Sequence, residues 1–115
     1  MADQIAIQLP KTKWREGSAF TATAYFRTRS TAAADTPASV KYRIDCLTTC
    51  TELADWTTVS AASNVSIAIT ATHNAIQNEC NKTELKQLTI ASDFEAVDQH
   101  RESVVWTVEN LYGSP

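Results

Sequence analysis

Phe20-Thr21-Ala22-Thr23-Ala24-Tyr25-Phe26 sets an apolar side chain at every second position, with threonine or tyrosine between. Successive side chains of a β-strand point to opposite faces, so the segment describes a strand with one buried face. The same alternation returns in Ile5, Ile7 and Leu9, in Val40, Tyr42, Ile44 and Cys46, in Val65, Ile67 and Ile69, and in Val104, Trp106 and Val108. Two weaker runs join these, and an all-β chain is expected.

Working outward, strands are predicted over 3–9, 18–29, 39–47, 56–59, 64–70, 83–92 and 102–111. Pro10 stops the first, and 11–18 reads as a charged connection holding Trp14 and Gly17. Residues 30–38 form a small polar loop with Pro37 as breaker. Residues 48–55 lead round to the short fourth strand. In 71–80, Thr72 could cap a short helical turn near 72–79 with Ile76 packing inward; the piece is too short for an independent helix. Within 83–92 the apolar phase shifts between Leu85 and the Leu88/Ile90 pair, which reads as a bulge.

Seven strands at this spacing fit one domain (1–115) of two packed antiparallel sheets, an immunoglobulin-like or fibronectin III-like β-sandwich, with a barrel as the alternative. The antibody-type pair of cysteines on the second and sixth strands is absent, because Cys46 and Cys80 lie elsewhere. Two glycines in 115 residues mean that the connections cannot all be tight primed turns.

The net charge of −3 argues against electrostatic binding to nucleic acid or an anionic membrane. Residues 1–57 hold seven Lys/Arg against six Asp/Glu and residues 58–115 hold three against seven, so the halves carry +1 and −4. If Lys11, Lys13, Arg15, Arg27, Arg29, Lys41 and Arg43 share one face and Glu95, Asp98, Glu102 and Glu109 another, copies could associate head to tail. Charges scattered along solvated strand edges are the simpler account. The start, Met1-Ala2-Asp3-Gln4, has no basic n-region and no signal-length apolar core, so synthesis and folding in a cytoplasm are expected. No run approaches the ~20 apolar residues of a membrane span.

Chemistry-bearing patterns are sparse. Cys46, Cys50 and Cys80 with His73 could be drawn as a Cys₃His zinc site, but Cys80 and His73 are not a close pair. A buried Cys46 thiol is simpler, free thiols are the default in a reducing compartment, and a disulfide from Cys46 to Cys50 or Cys80 stays open after release. Asp93, Glu95 and Asp98 form a weak acidic cluster. No Gly-x-Ser-x-Gly elbow and no glycine-rich phosphate loop is present. Asn64-Val65-Ser66 and Asn81-Lys82-Thr83 match the glycosylation triplet by chance. No catalytic residue, cofactor or metal is assigned. Trp106 follows the inward phase, whereas Trp14 and Tyr112 lie outside the alternations, where an aromatic either anchors an interface or packs on the domain's own edge.

The blocks REGSAFTATAYFR, TPASVKYRIDCLTT, LADWTTVSAASNVSIAIT, THNAIQNECNKTELKQLTIASD and VVWTVENLYG follow in an order that resembles small Ig-like or fibronectin III-like proteins encoded among the structural genes of tailed bacteriophages and prophages. The resemblance spans about residues 13–113. Its most specific pieces are Tyr42-Arg43-Ile44-Asp45, Asp55-Trp56-Thr57 and the close from Trp106 to Leu111. It implies a non-enzymatic virion structural protein, first of all a capsid decoration or cement protein on the outside of the head. A tail or head–tail junction component is the alternative. The implied partners are the major capsid protein or another virion protein, with homo-oligomers open. Expected contact elements are Met1 to Trp14 and Glu109 to Pro115, with Trp14, Arg15, Leu111 and Tyr112 as interface residues. A different reading has the loops at Ala32–Thr36 and Asp93–His100 touching a host-surface glycan.

Overall fold

The computed structural model describes residues 4–28, 30–92 and 100–111. They form eight strands and no helix: β1 (Gln4–Gln8), β2 (Lys13–Arg15), β3 (Phe20–Arg27), β4 (Val40–Cys46), β5 (Thr51–Val59), β6 (Asn64–Ile69), β7 (Thr83–Ser92) and β8 (His100–Glu109). Two sheets result, one ordered β1-β3-β6 and the other β2-β8-β7-β4-β5. All pairings are antiparallel except β2 with β8, which is parallel.

The alternation that marks the strands also places the core. Phe20, Ala22, Ala24 and Phe26 of β3 and Val65, Ile67 and Ile69 of β6 turn inward from the three-stranded sheet. Val40 and Ile44, Leu88 and Ile90, and Trp106 and Val108 come from β4, β7 and β8 of the other sheet, and the two sets make one cluster. Each of these side chains leaves water almost completely, which is the main stabilising term in a chain of this size.

Four expectations are corrected. The eighth strand is β2, inside the supposed connection 11–18; three residues flanked by Lys11 and Glu16 are too few to show a period. The short fourth strand begins at Thr51, not at Trp56. Residues 47–50 form the turn, with Cys50 at φ 54°, and the β4–β5 register slips on either side of Ile44. That slip lets consecutive Leu53 and Ala54 both pack on the core, which hides the strand from a period-two reading. The expected helical turn near 72–79 is no helix but a run of turns. One bond from Asn74 N–H to Thr70 O closes a single helical turn, and Thr70 Oγ1 rather than Thr72 accepts the His73 N–H. Ile76 does pack against the core.

The fourth correction concerns β7, which contains no bulge: its register with both β4 and β8 is unbroken from end to end. The apparent phase shift arises because two charged residues, Glu84 and Lys86, continue the inward phase of Leu88 and Ile90, while Leu85 faces solvent.

Candidate functional site

Charged side chains belong inside a protein only when paired and hydrogen-bonded, because desolvation of a lone ion is very unfavourable. Glu84 and Lys86 meet that condition through segment 70–82, which folds over their end of the core. The Lys86 ammonium donates to Glu84 Oε1 at 3.0 Å and to the Ala75 carbonyl at 2.8 Å. Glu84 also accepts the backbone N–H of Gln77 at 2.7 Å and of Asn78 at 2.9 Å, and the Asn81 side-chain amide at 3.0 Å. The Cys46 thiol lies 3.7 Å from Oε1. Burial by itself raises the Glu84 pKa; the N–H groups of Gln77 and Asn78, then Lys86 and Asn81, outweigh it and hold the carboxyl at about 2.

Asn74 is the second centre of this brace. Its Oδ1 accepts the Trp106 indole N–H at 2.7 Å, and its Nδ2 donates to the Ser18 carbonyl at 2.7 Å. Its own carbonyl accepts the Gly17 N–H at 3.0 Å, where Gly17 takes a φ of 75° that favours glycine. One buried side chain thus ties the 70–82 segment to β8 and to the turn before β3. Asn110 fixes the far end, donating from Nδ2 to the carbonyls of Glu79 and Asn81.

Chemically this cluster is a brace. A carboxyl held near 2 is a weak proton acceptor at neutral pH, whereas a working general base sits near the operating pH. His73 serves the same segment. Its Nδ1 accepts the Thr70 N–H at 3.0 Å, and burial lowers its pKa, in keeping with a neutral ring. The Cys₃His set is not assembled: no group of three or more His, Cys, Asp and Glu side chains placed to hold a metal occurs among the described residues. Cys46, Cys50 and Cys80 are free thiols, the first buried and the other two exposed.

Of the expected interface residues, Trp14, Arg15 and Leu111 come together at one corner. Trp14 and Arg15 lie on β2 opposite Val108 and Glu109, and the Leu111 N–H donates to the Glu16 carboxylate at 2.9 Å. Trp14 packs on its own domain: its ring stacks on Phe20 at 4.3 Å between centroids, Phe20 meets Trp106 edge-on, and the Lys11 ammonium covers the Trp14 ring at 4.5 Å. Arg15 and Leu111 are exposed. Tyr112 lies outside the described residues, as do Met1–Asp3, Gly113–Pro115 and most of the 93–100 loop. Within Ala32–Thr36, Ala34 forms an antiparallel bridge with Arg27, flanked by the bonds from Thr28 N–H to Ala33 O and from Asp35 N–H to Phe26 O.

The basic residues do not all share one face. Arg27 lies on β3 of the three-stranded sheet, whereas Lys13 and Arg15 on β2 and Lys41 and Arg43 on β4 face outward from the five-stranded sheet, with β8 and β7 between them. There Lys41, Arg43 and Arg101 surround the half-buried Trp56 ring, at 4.6, 5.8 and 5.5 Å from its centroid. Arg43 is also bidentate to Asp45. Further along the same face, Leu85 and Val105 are exposed and lie diagonally across the β7–β8 pair. Sequence periodicity misses this patch, since Trp56 is brought beside Arg101 only by the strand order. No helix long and apolar enough to cross a membrane is present among the described residues. Compared with known protein families, curated proteins and solved structures, the chain shows no match.

Proposed function

We propose that this chain is a non-enzymatic structural protein of a bacteriophage virion, a decoration or cement protein bound to the outside of the capsid, and that its fold is an immunoglobulin-like or fibronectin III-like sandwich. The strand order supports the fold reading. With β1, β3 and β6 as strands A, B and E, and β4, β7 and β8 as C, F and G, the sheets follow the immunoglobulin division, with β5 added beside C and β2 beside G. The family resemblance of the sequence blocks supplies the virion context.

The observation that carries the reading is the outer face of the five-stranded sheet. It offers a Trp56 ring among three cations and an exposed Leu85–Val105 pair on one sheet face. Aromatic and arginine side chains are enriched where proteins meet, whereas small ligands take concave pockets. Buried Asn74, Glu84 and Lys86, meanwhile, are engaged in bracing the 70–82 segment. Partners of this kind are the major capsid protein or another virion protein, each copy making a modest contact that repetition over a symmetric shell makes secure.

Mass spectrometry of purified virions tests the proposal. The chain is expected in many copies per particle and retained on heads separated from tails. Its absence from the particles overturns the virion reading, and its recovery with tails alone overturns the capsid position.

A further inference from the structure

A strand at the edge of a sheet presents unpaired N–H and C=O groups to any chain that can pair with them, and proteins normally blunt such edges with charge, proline, bulges or brevity. Three of the four edges here are blunted. β2 is three residues long and carries Lys13 and Arg15. β5 holds Glu52 and Asp55 and the register slips opposite Ile44. β1 packs beside β8 and runs past Pro10 into β2, crossing from one sheet to the other.

β6 has none of these devices. Asn64-Val65-Ser66-Ile67-Ala68-Ile69 contains no charge, no proline and no bulge, and among the described residues it pairs with no strand except β3. Its hydrogen-bond phase follows from two independent contacts. The Phe26 N–H donates to Ser63 O, so in the continuous register the residues bonded to β3 are Val65, Ile67 and Ile69. Asn64, Ser66, Ala68 and Thr70 therefore direct their backbone groups away from β3. At Thr70 this is visible, because His73 Nδ1 takes its N–H and the Asn74 N–H takes its carbonyl. The edge is capped there. At Asn64, Ser66 and Ala68 it has no partner among the described residues.

We propose that β6 pairs edge to edge with β6 of a second copy of this chain, antiparallel about a two-fold axis through Ser66. The two three-stranded sheets then form one six-stranded sheet. A uniform uncharged edge is complementary to its own antiparallel copy: Ser66 faces Ser66, and Asn64 faces Ala68. Each of these three pairs can exchange two backbone hydrogen bonds. Local charge permits the same occupant. Each copy carries a net −3, and β6 with its β3 neighbours Thr21 and Thr23 lets two like-charged molecules meet without opposing charges. The inference stands apart from the virion reading, since it rests on the edge alone.

Sedimentation velocity over a concentration series tests it on the full chain. A reversible monomer–dimer equilibrium is expected, with the amides of Asn64, Ser66 and Ala68 exchanging more slowly with deuterium as concentration rises. Ser66→Lys sets like charges opposite each other across the axis and is expected to weaken the dimer about tenfold or more. Ser66→Pro removes an outward N–H while leaving every bond to β3 in place, and should act likewise. Circular dichroism confirms that each variant is folded. Val105→Lys, on the outer face of the other sheet, should leave the dimer intact. A chain that stays monomeric throughout overturns the proposal, as does a dimer indifferent to Ser66→Lys or one dissociated by Val105→Lys.

Discussion

Glu84→Gln is expected to destabilise the protein by about 3–5 kcal/mol, the cost of leaving a buried ammonium without its counter-charge. The amide oxygen can replace only one carboxylate oxygen: facing Gln77 and Lys86, it turns its own NH₂ toward the Asn78 N–H and the Asn81 amide, so two donors lose their acceptor while Lys86 loses its counter-charge. Lys86→Met should be milder, about 2 kcal/mol, because the carboxylate keeps three N–H partners and methionine replaces the apolar stem. The double variant should then be more stable than Glu84→Gln alone. Denaturant unfolding of the four proteins measures the coupling; equal losses for the two single variants would show that the donors around Glu84 contribute nothing beyond the ion pair.

The same group sets an acid limit. Its folded pKa of about 2 lies below the ordinary value of 4.5, so its contribution is complete above the ordinary value and is lost progressively as pH falls from about 5 toward 2. The difference corresponds to on the order of 3 kcal/mol. Unfolding midpoints recorded from pH 7 to pH 2 should fall across that window in the parent and stay flatter in Glu84→Gln. Parallel curves would assign acid sensitivity to other carboxylates.

Asn74→Ala has the second large effect, about 2–4 kcal/mol. It removes the acceptor of the buried Trp106 N–H and the donor to Ser18 O together, and it opens a void beside a packed indole. Trp106→Phe, combined with it, separates the terms. If the indole hydrogen bond matters, Asn74→Ala is expected to cost less in a chain that already carries Trp106→Phe, because no indole N–H is then left unpaired. Additive losses would instead assign the whole effect to packing and to Ser18.

The two sheets are largely legible in the sequence because alternation reports burial directly: Phe20 to Phe26, Val65 to Ile69 and Trp106 to Val108 face inward as their phase requires. The brace is not legible. Glu84 and Lys86 look like solvent-facing residues, and only the distant 70–82 segment makes their burial tolerable, so the inward phase of β7 is disguised as a bulge. Asn74 gives no local signal, since its partners Ser18 and Trp106 are far away in the chain. β5 is half visible because a register slip breaks its period. Trp14 stands out for lying outside the alternations, and it is β2 that brings it beside Val108 of β8.

The parallel pairing of β2 with β8 also decides how the molecule bears tension. Thr107 N–H donates to Thr12 O and Glu16 N–H to Glu109 O, each at 2.8 Å, bracketing the short ladder between them. A pull on the two ends of the chain draws β2 from its first residue and β8 from its last, in opposite directions. Strands that run the same way are then loaded in shear, so their bonds share the force and fail together. Three residues at the margin of a sheet thus act as a mechanical latch, and a force–extension trace should show one sharp rupture when it gives way.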